Sequence, residues 1–429
     1  MAAGPSDTER DARLGGLVRA ALQLMNERRL DEAARAWSEI LVIAPGHPQA
    51  LLHLGQHLLF RKDAAGARSL LERAAAADPR NPVVPLNLAF VSRAGGDGDG
   101  EMAWLIRSLS IDPYFFPALL AKGMLLERGG ARRKAARTFK DVLTIAPPDD
   151  QLSAEMRQAM AHAREVIADD AAALDKHLSG RLEAALARHP GAALARFDEC
   201  KRIALGRTTA YTQQPSMLLI PRLPAIPFYD KADFPWLENL EAATGVIREE
   251  LLSVLRQDSG DFRPYVAHPD GAPLAQWAEL NHSMRWNAFF LWKDGARMDA
   301  QCRRCPRTAA LLDTLPMIDI PNFGPTVLFS VLDRNTHIPP HSSVTNARLV
   351  VHLPLIVPAG CRFRVGNEIR EWREGEAWVF DDTIEHEAWN DSDELRVIVM
   401  IDIWNPLLTE AERDLVSELL NGLRDYYDR

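Results

Sequence analysis

An α-helical repeat array followed by an all-β jelly-roll domain is the architecture this 429-residue sequence predicts. Three observations carry it. Prolines recur at a fixed interval through the first third of the chain. The texture turns proline- and aromatic-rich after residue 206. A C-terminal series of short β-branched runs is then separated by turn residues. The length also exceeds what one compact core usually holds, so two domains are expected, over 12–206 and 207–429.

Pro45, Pro79, Pro113 and Pro147 follow one another at intervals of 34 residues. That interval is the tetratricopeptide period. Leu51, Leu54, Gly55, Leu58, Ala67 and Ala74 fill the small and bulky positions of one unit, and Leu119, Gly123, Leu126, Ala135 and Phe139 those of another. Small residues let paired helices approach, bulky ones fill the gap, and proline ends the second helix. The first unit, with Ala33, Trp37 and Pro45, matches only in its second half, and "AGGDGDG" at 94–100 is expected to lengthen the helix–helix loop of the third. Residues 150–206 continue as alanine-rich amphipathic helix. The concave face of such a solenoid is open to two readings, a peptide-binding surface or a packing surface for the neighbouring domain.

The stretch 213–243 is rich in Pro and aromatics, as where helices give way to another domain, and one more helix is expected near 239–256. Beyond it, "TVLFSVLD", "ARLVVHLPLIV", "CRFRVG", "EIREWRE", "EAWVFDD" and "LRVIVMIDIW" read as strands. Short strands at close spacing indicate a sandwich or barrel, best matched by a jelly roll. The terminal "TEAERDLVSELLNGLRDYYD" is a helix opened by Thr409 with Glu412 three residues on, the pattern of a capping box.

Composition narrows the partners. The formal net charge is −9 and no long basic run occurs, which argues against nucleic acid or an anionic membrane as the main partner. No segment offers the roughly 18 consecutive apolar residues of a membrane span, and the first residues lack the apolar stretch of a signal peptide, so a cytoplasmic protein is expected. The four cysteines are too scattered for a disulfide framework. Cys302 and Cys305 are open to reading as half a zinc site, but no second pair completes it, and ordinary thiols are favoured.

Polar residues in the β region cluster. His341 lies before the strand that begins near Ala347, His386 follows the strand at 377–381, and Arg396 opens the last long strand. Strands distant in sequence face each other across a jelly roll, so two histidines and an inward arginine meeting in its mouth would form a metal site with an anion clamp beside it. His352, between Val351 and Leu353, is open to a buried-core reading, and Arg396 to an ion pair with Asp381 or Asp382. His337, His53, His57 and His282 read as ordinary satisfied histidines. Glu385 and Glu387 would point away from His386 on extended backbone, which suits a structural role.

The run "THIPPHSSVTNARLVVHLPLIVPAGCRFRVGNEIREWREGEAWVFDDTIEHEAWNDSDELRVIVMIDIWNP", residues 336–406, resembles the aspartyl/asparaginyl β-hydroxylase family of Fe(II)- and 2-oxoglutarate-dependent dioxygenases. The likeness extends upstream through "WNAFFLWKDG" and "CRRCPRTAALLDTLP", over residues 210–410. The resemblance implies a cupin-like double-stranded β-helix, iron held by His341 and His386, and the distal carboxylate of 2-oxoglutarate gripped by Arg396 with help from Ser330. It implies His352 at the other end of the cosubstrate and Arg348 on the substrate side. Ser343 stands where the family, working with two histidines only, has glycine in place of an acidic ligand. Val350 stands where the pattern commonly carries a second substrate-binding arginine, and "RNTH" replaces its "PGTH" turn.

The activity implied is hydroxylation of an unactivated carbon, with the β-carbon of Asp or Asn in a peptide presented by the repeats as its leading acceptor. Two alternatives stand beside it: a non-catalytic, repeat-based peptide-binding protein with a degenerate barrel, and a hydroxylase of a small-molecule or lipid-linked acceptor.

Overall fold

The computed structural model of the chain describes residues 7–191, 194–257 and 260–427. Two compact units divide it, Met1–Ala193 and Leu194–Arg429.

The first unit is built of helical hairpins: α1 (Asp7–Asn26) with α2 (Leu30–Ile43), α3 (Pro48–Phe60) with α4 (Ala64–Ala77), α5 (Val83–Ala94) with α6 (Gly98–Ile111), and α7 (Phe116–Arg128) with α8 (Arg132–Ile145). Each second helix stops two residues before one of the phased prolines. Proline lacks the N–H that the helix would need and pushes the residue before it out of the α region. Glycine sets how closely the hairpins close. A Cβ on Gly123 would lie 2.5 Å from Cε1 of the fully buried Phe139, and one on Gly55 would lie 2.7 Å from Cγ of Leu71.

The first repeat, whose residue pattern matches only in its second half, is a complete hairpin with α1 as its first helix. One expectation is corrected here: the loop of the third repeat is not lengthened. Only Gly95–Asp97 separate α5 from α6, because Asp97 accepts from Gly100 N at 2.8 Å and starts the helix inside the glycine-rich run. Asp63 caps α4 in the same way through Gly66 N, at 2.9 Å. A long α9 (Ala154–Leu186) packs Met160 and Ala163 on the Phe139 cluster.

In the second unit, α10 (Ala195–Ala204) is tied to the β region by the Asn367 amide, which donates to Glu199 at 2.8 Å. The helix expected over 239–256 is two, α11 (Leu237–Ala242) and α12 (Thr244–Arg256). The β elements are β1 (Arg263–Pro264), β2 (Trp286–Lys293), β3 (Ala296–Arg297), β4 (Val327–Leu332), β5 (Thr336–His341), β6 (Arg348–Ile356), β7 (Cys361–Val365), β8 (Glu368–Glu371), β9 (Trp378–Phe380), β10 (His386–Asn390) and β11 (Arg396–Trp404). Two short helices, α13 (Asp299–Cys302) and α14 (Pro306–Leu312), lie between β3 and β4. The closing α15 (Glu410–Tyr427) carries the expected capping box, with Glu412 accepting from Thr409 N at 2.8 Å and Thr409 Oγ1 from Glu412 N at 3.3 Å.

From β4 onward the strands alternate between two antiparallel sheets, ordered β4-β11-β6-β9 and β5-β10-β7-β8, except that β7 and β8 form a hairpin within the smaller one, which is the jelly-roll, double-stranded β-helix topology. The larger sheet is extended past β4 by β2 and then β1, with β3 beside β2.

Strand alternation sorts the large sheet into two faces. Phe329, Val331, Leu349, Val351, Leu353, Val397, Val399 and Ile401 share one core with residues of α11, α12 and α14. The other parity of the same strands, with Ser330, Arg348, Val350, His352, Arg396, Ile398 and Asp402, looks across at the small sheet. Both faces are covered, so these strands read as almost unbroken apolar runs.

Gly123→Val is expected to destabilise the repeat unit by about 1–3 kcal/mol, because the buried Phe139 ring has no room to yield. Urea unfolding followed by far-ultraviolet circular dichroism measures it, and unchanged stability would show that the hairpin spacing is not set by this glycine.

Candidate active site

The two histidines are direct cross-strand partners. His341 ends β5, His386 opens β10, and the register places them opposite one another with ring centroids 4.0 Å apart. A bulge makes this possible. Between this pair and the next, Ile338 opposite Ala388, β5 spends three residues against two of β10. Strict alternation would set Ile338 and His341 on opposite faces, and the extra residue in Pro339–Pro340 returns His341 to the inside.

Each imidazole is fixed by its backbone. Nδ1 of His341 lies 2.8 Å from the carbonyl of Pro339, and Nδ1 of His386 lies 3.0 Å from that of Ile384. A carbonyl only accepts, so Nδ1 carries the proton in both rings and Nε2 keeps its lone pair. Burial lowers the pKa of His341 to about 3, reinforced by the neighbouring His386, and burial lowers that of His386 to about 4. Two neutral imidazoles with free Nε2 atoms suit a first-row transition metal such as iron. Among the described residues no group of three or more His, Cys, Asp or Glu is arranged for a metal, so the protein's share would be these two nitrogens.

Arg396 lies at one end of β11, opposite Leu332 of β4, and is 1% exposed. Its Nη1 donates to Ser330 Oγ at 3.4 Å, and Nε has no partner among the described residues. Ser330 Oγ also accepts from Trp286 Nε1 at 3.1 Å. The guanidinium lies over the Trp372 ring, 4.9 Å from its centre. Among the described residues no carboxylate pairs with it, and burial lowers its pKa to about 10. The ion pair with Asp381 or Asp382 is therefore not formed: Asp382 pairs with Arg348, and Asp381 accepts from Thr383 and Gln213. His352 is buried near Arg396, packed by Phe363, Trp372 and Phe380, and neither ring nitrogen has a partner among the described residues.

Arg348 is a different arginine. Nη1 donates to Asp402 at 3.0 Å, and Nη2 to Asp382 at 2.9 Å and to Ser343 Oγ at 2.6 Å. Burial works against its charge, but Asp402 and Asp382 outweigh it and raise the pKa. Ser343 is thus turned to Arg348 by its hydroxyl.

These groups line one cavity of about 410 Å³. Tyr265, Trp277 and Trp286 wall its mouth beside His341, with Tyr265 stacked on Trp286 at 4.1 Å and Trp277 edge-on to His341 at 5.0 Å. All six residues singled out in the sequence, His341, His386, Arg396, Ser330, His352 and Arg348, line it. Sequence reasoning missed Asp402, Trp286, Tyr265 and Trp277, and it offered Asp382 to Arg396 rather than to Arg348. The period of β11 carried the signal for Asp402, since it shares parity with Arg396.

The remaining candidates are structural. His337 lies on the outer side of β5, paired with Glu387 at 2.9 Å and stacked on Trp389. Glu385 and Glu387 both pair with Arg364. Cys302 and Cys305 are buried free thiols of the outer core, and burial pushes the Cys305 thiol up to about 12.

Comparison with known proteins adds to this geometry. Residues 241–406 match the profile of the aspartyl/asparaginyl β-hydroxylase family, and residues 24–84 that of the tetratricopeptide repeat. Over 204 residues, 47% of the chain, it is 33% identical to the aspartyl/asparaginyl beta-hydroxylase of Homo sapiens, 25% of which is covered. Over 189 residues, 43% of the chain, it is 34% identical to the ornithine lipid ester-linked acyl 2-hydroxylase of Rhizobium tropici, 63% of which is covered. Over 209 residues, 48% of the chain, it is 32% identical to the human aspartate beta-hydroxylase domain-containing protein 2, 54% of which is covered. The chain thus spans between 25% and 63% of these relatives' own lengths. Among solved structures, a tetratricopeptide protein of Thermus thermophilus aligns with 45% of the chain and 97% of its own length, at 21% identity and a TM-score of 0.32. Among the described residues no helix is long and apolar enough to cross a membrane.

The buried histidines predict a pH dependence of stability. Their folded pKa values lie below the ordinary ~6.5 of the unfolded chain, so the unfolded state takes up protons first as pH falls. Their contribution is complete above pH ~6.5 and declines below it, by about 1 kcal/mol per histidine at pH ~5.5. Denaturant unfolding of the metal-free chain, followed by tryptophan fluorescence at pH 7.5 and 5.5, should show the loss. The double variant His341→Gln, His386→Gln should show a shallower pH slope, and an equal slope would contradict the assignment.

Proposed function

Since residues 241–406 match the aspartyl/asparaginyl β-hydroxylase family, we propose that this chain is an Fe(II)- and 2-oxoglutarate-dependent dioxygenase that hydroxylates an unactivated carbon. The observation that carries the reading is Arg396. A fully buried guanidinium with no counter-charge among the described residues calls for an anion, and this one sits on a cavity it shares with two imidazoles whose Nε2 atoms are free.

In this reading His341 and His386 hold iron through Nε2, and their Nδ1–H bonds to backbone carbonyls keep both rings in the ligating tautomer. The chemistry supplied by iron, when bound, is oxygen activation coupled to decarboxylation of 2-oxoglutarate to succinate. Arg396 and Ser330 take the distal carboxylate of the cosubstrate, and Trp372 holds the guanidinium plane in place. His352, with two unpartnered nitrogens, supplies a polar contact near the other end. The walls of Trp277, Trp286 and Phe380 limit water at the reacting carbon.

The acceptor has two readings. The relative of Homo sapiens is by name an aspartyl/asparaginyl hydroxylase, and tetratricopeptide repeats supply a concave surface for a peptide segment. The relative of Rhizobium tropici is by name an acyl 2-hydroxylase, and the apolar residues Leu328, Val350, Ile398 and Met400 along the cavity suit an acyl chain.

Succinate release from 2-oxoglutarate should require Fe(II) and fall by about 100-fold or more in His341→Ala and in His386→Ala. Arg396→Ala should weaken 2-oxoglutarate binding by about 30-fold or more, the loss of a charge-assisted pair of ~2–5 kcal/mol, and leave iron affinity nearly unchanged. Anaerobic titration calorimetry separates the two affinities. A wild-type chain that binds no iron would overturn the enzyme reading in favour of a non-catalytic binding protein, and equal loss of both affinities in Arg396→Ala would contradict its role.

A further inference from the structure

We infer that the end of the cavity around Arg348 selects against carboxylates and receives a neutral amide. This rests on the dioxygenase reading for the identity of the cavity, and it names the chemistry of the acceptor.

Two arginines, Arg396 buried and Arg348 half-buried, line one cavity from opposite ends of β11: Arg396 stands opposite Leu332 and Arg348 opposite Trp404. Arg396 brings one positive charge with no carboxylate paired to it among the described residues. Arg348 meets two carboxylates, Asp382 and Asp402, so its end carries a formal charge of −1. Both carboxylates are shielded from water, at 5% exposure each. Charges so placed are poorly screened, and an incoming carboxylate would meet net repulsion there as well as the cost of its own desolvation. The guanidinium at this end is already committed through Nη1 and Nη2, to Asp402, Asp382 and Ser343.

Two polar atoms at this end have no partner among the described residues, Nε of Arg348 and Oδ1 of Asp382. One donates and the other accepts. A neutral group with one N–H and one C=O, an amide, complements both, while a carboxylate serves the first and is repelled by the second. Val350, between Arg348 and His352 on the same face of β6, adds an apolar wall and no further cation. The cavity therefore sorts its ligands by charge: the anionic cosubstrate belongs at the Arg396 end and an uncharged group at the Arg348 end.

The test compares isosteric pairs on the full chain in the presence of 2-oxoglutarate, with binding read anaerobically by quenching of the cavity tryptophans. One pair is N-acetyl-asparagine amide against N-acetyl-aspartate amide, and the other is dodecanamide against dodecanoate. At least one amide should bind ten-fold or more tightly than its carboxylate, and the pair that does so separates a peptide source from an acyl source. Asp382→Asn and Asp402→Asn remove one negative charge each with little change in shape, and each should narrow the preference about ten-fold by admitting the carboxylate. A carboxylate bound as tightly as its amide in both pairs, or no amide binding at all, overturns the inference. Binding of 2-oxoglutarate alone is measured first. Its absence would count against the dioxygenase reading, whereas its presence with a preferred carboxylate would overturn only the charge selection.

Discussion

The candidate site depends on the parity of a single strand. Side chains of β5 alternate between the cavity and the outer face, and Ile338 already occupies the inner side, so His341, three residues on, would face outward in a regular ladder. The bulge at Pro339–Pro340 inserts the residue that reverses this. Once His341 is inside and opposite His386, the rest follows from register. The backbone carbonyls orient both rings, the aromatic wall of Trp277 and Trp286 closes on His341, and the sheet opposite presents its inner residues to the pair.

The second organising element is the unequal treatment of two guanidinium groups. Arg396 is buried and Arg348 half-buried, and both rise from long strands of the larger sheet, yet Arg348 is matched by carboxylates and Arg396 by a hydroxyl and an indole face. Burying a charge without a partner lowers stability, so an arginine left in that condition marks a place where the fold gives up stability for recognition. The arginine with two carboxylates is instead part of the frame: it joins β6, β11 and the turn after β9, and holds Ser343 in place. The same residue type serves as a receptor at one end of the cavity and as a tie at the other.

Much of this was legible in the sequence. The proline interval marked where α2, α4, α6 and α8 end, because a proline's effect on the preceding turn is local. The strands β4, β6, β7, β8, β9 and β11 announced themselves by β-branched and aromatic runs, since most are covered on both faces. Less legible were β5 and β10, the two strands that carry the histidines. Two prolines disguise β5, and β10 reads "HEAWN", whose one acidic residue, Glu387, is satisfied by Arg364 and His337 across the small sheet. The pairing of Arg348 with Asp382 and Asp402 was also hidden, because it joins residues 34 and 54 positions apart. In the repeats, the glycines at 95–100 suggested a long loop, whereas one aspartate cap overrides them.

The prolines of β5 have a consequence outside the cavity. β5 is the border strand of the small sheet, hydrogen-bonded only to β10 among the described strands. A border strand normally offers its unused N–H groups to any extended chain that approaches, which is how sheets recruit foreign strands and how aggregates begin. Pro339 and Pro340 have no N–H to offer, and the bulge they occupy breaks the repeat that an added strand would have to follow. The device that turns His341 inward thus also makes the border of its sheet a poor template, so the barrel ends at this strand.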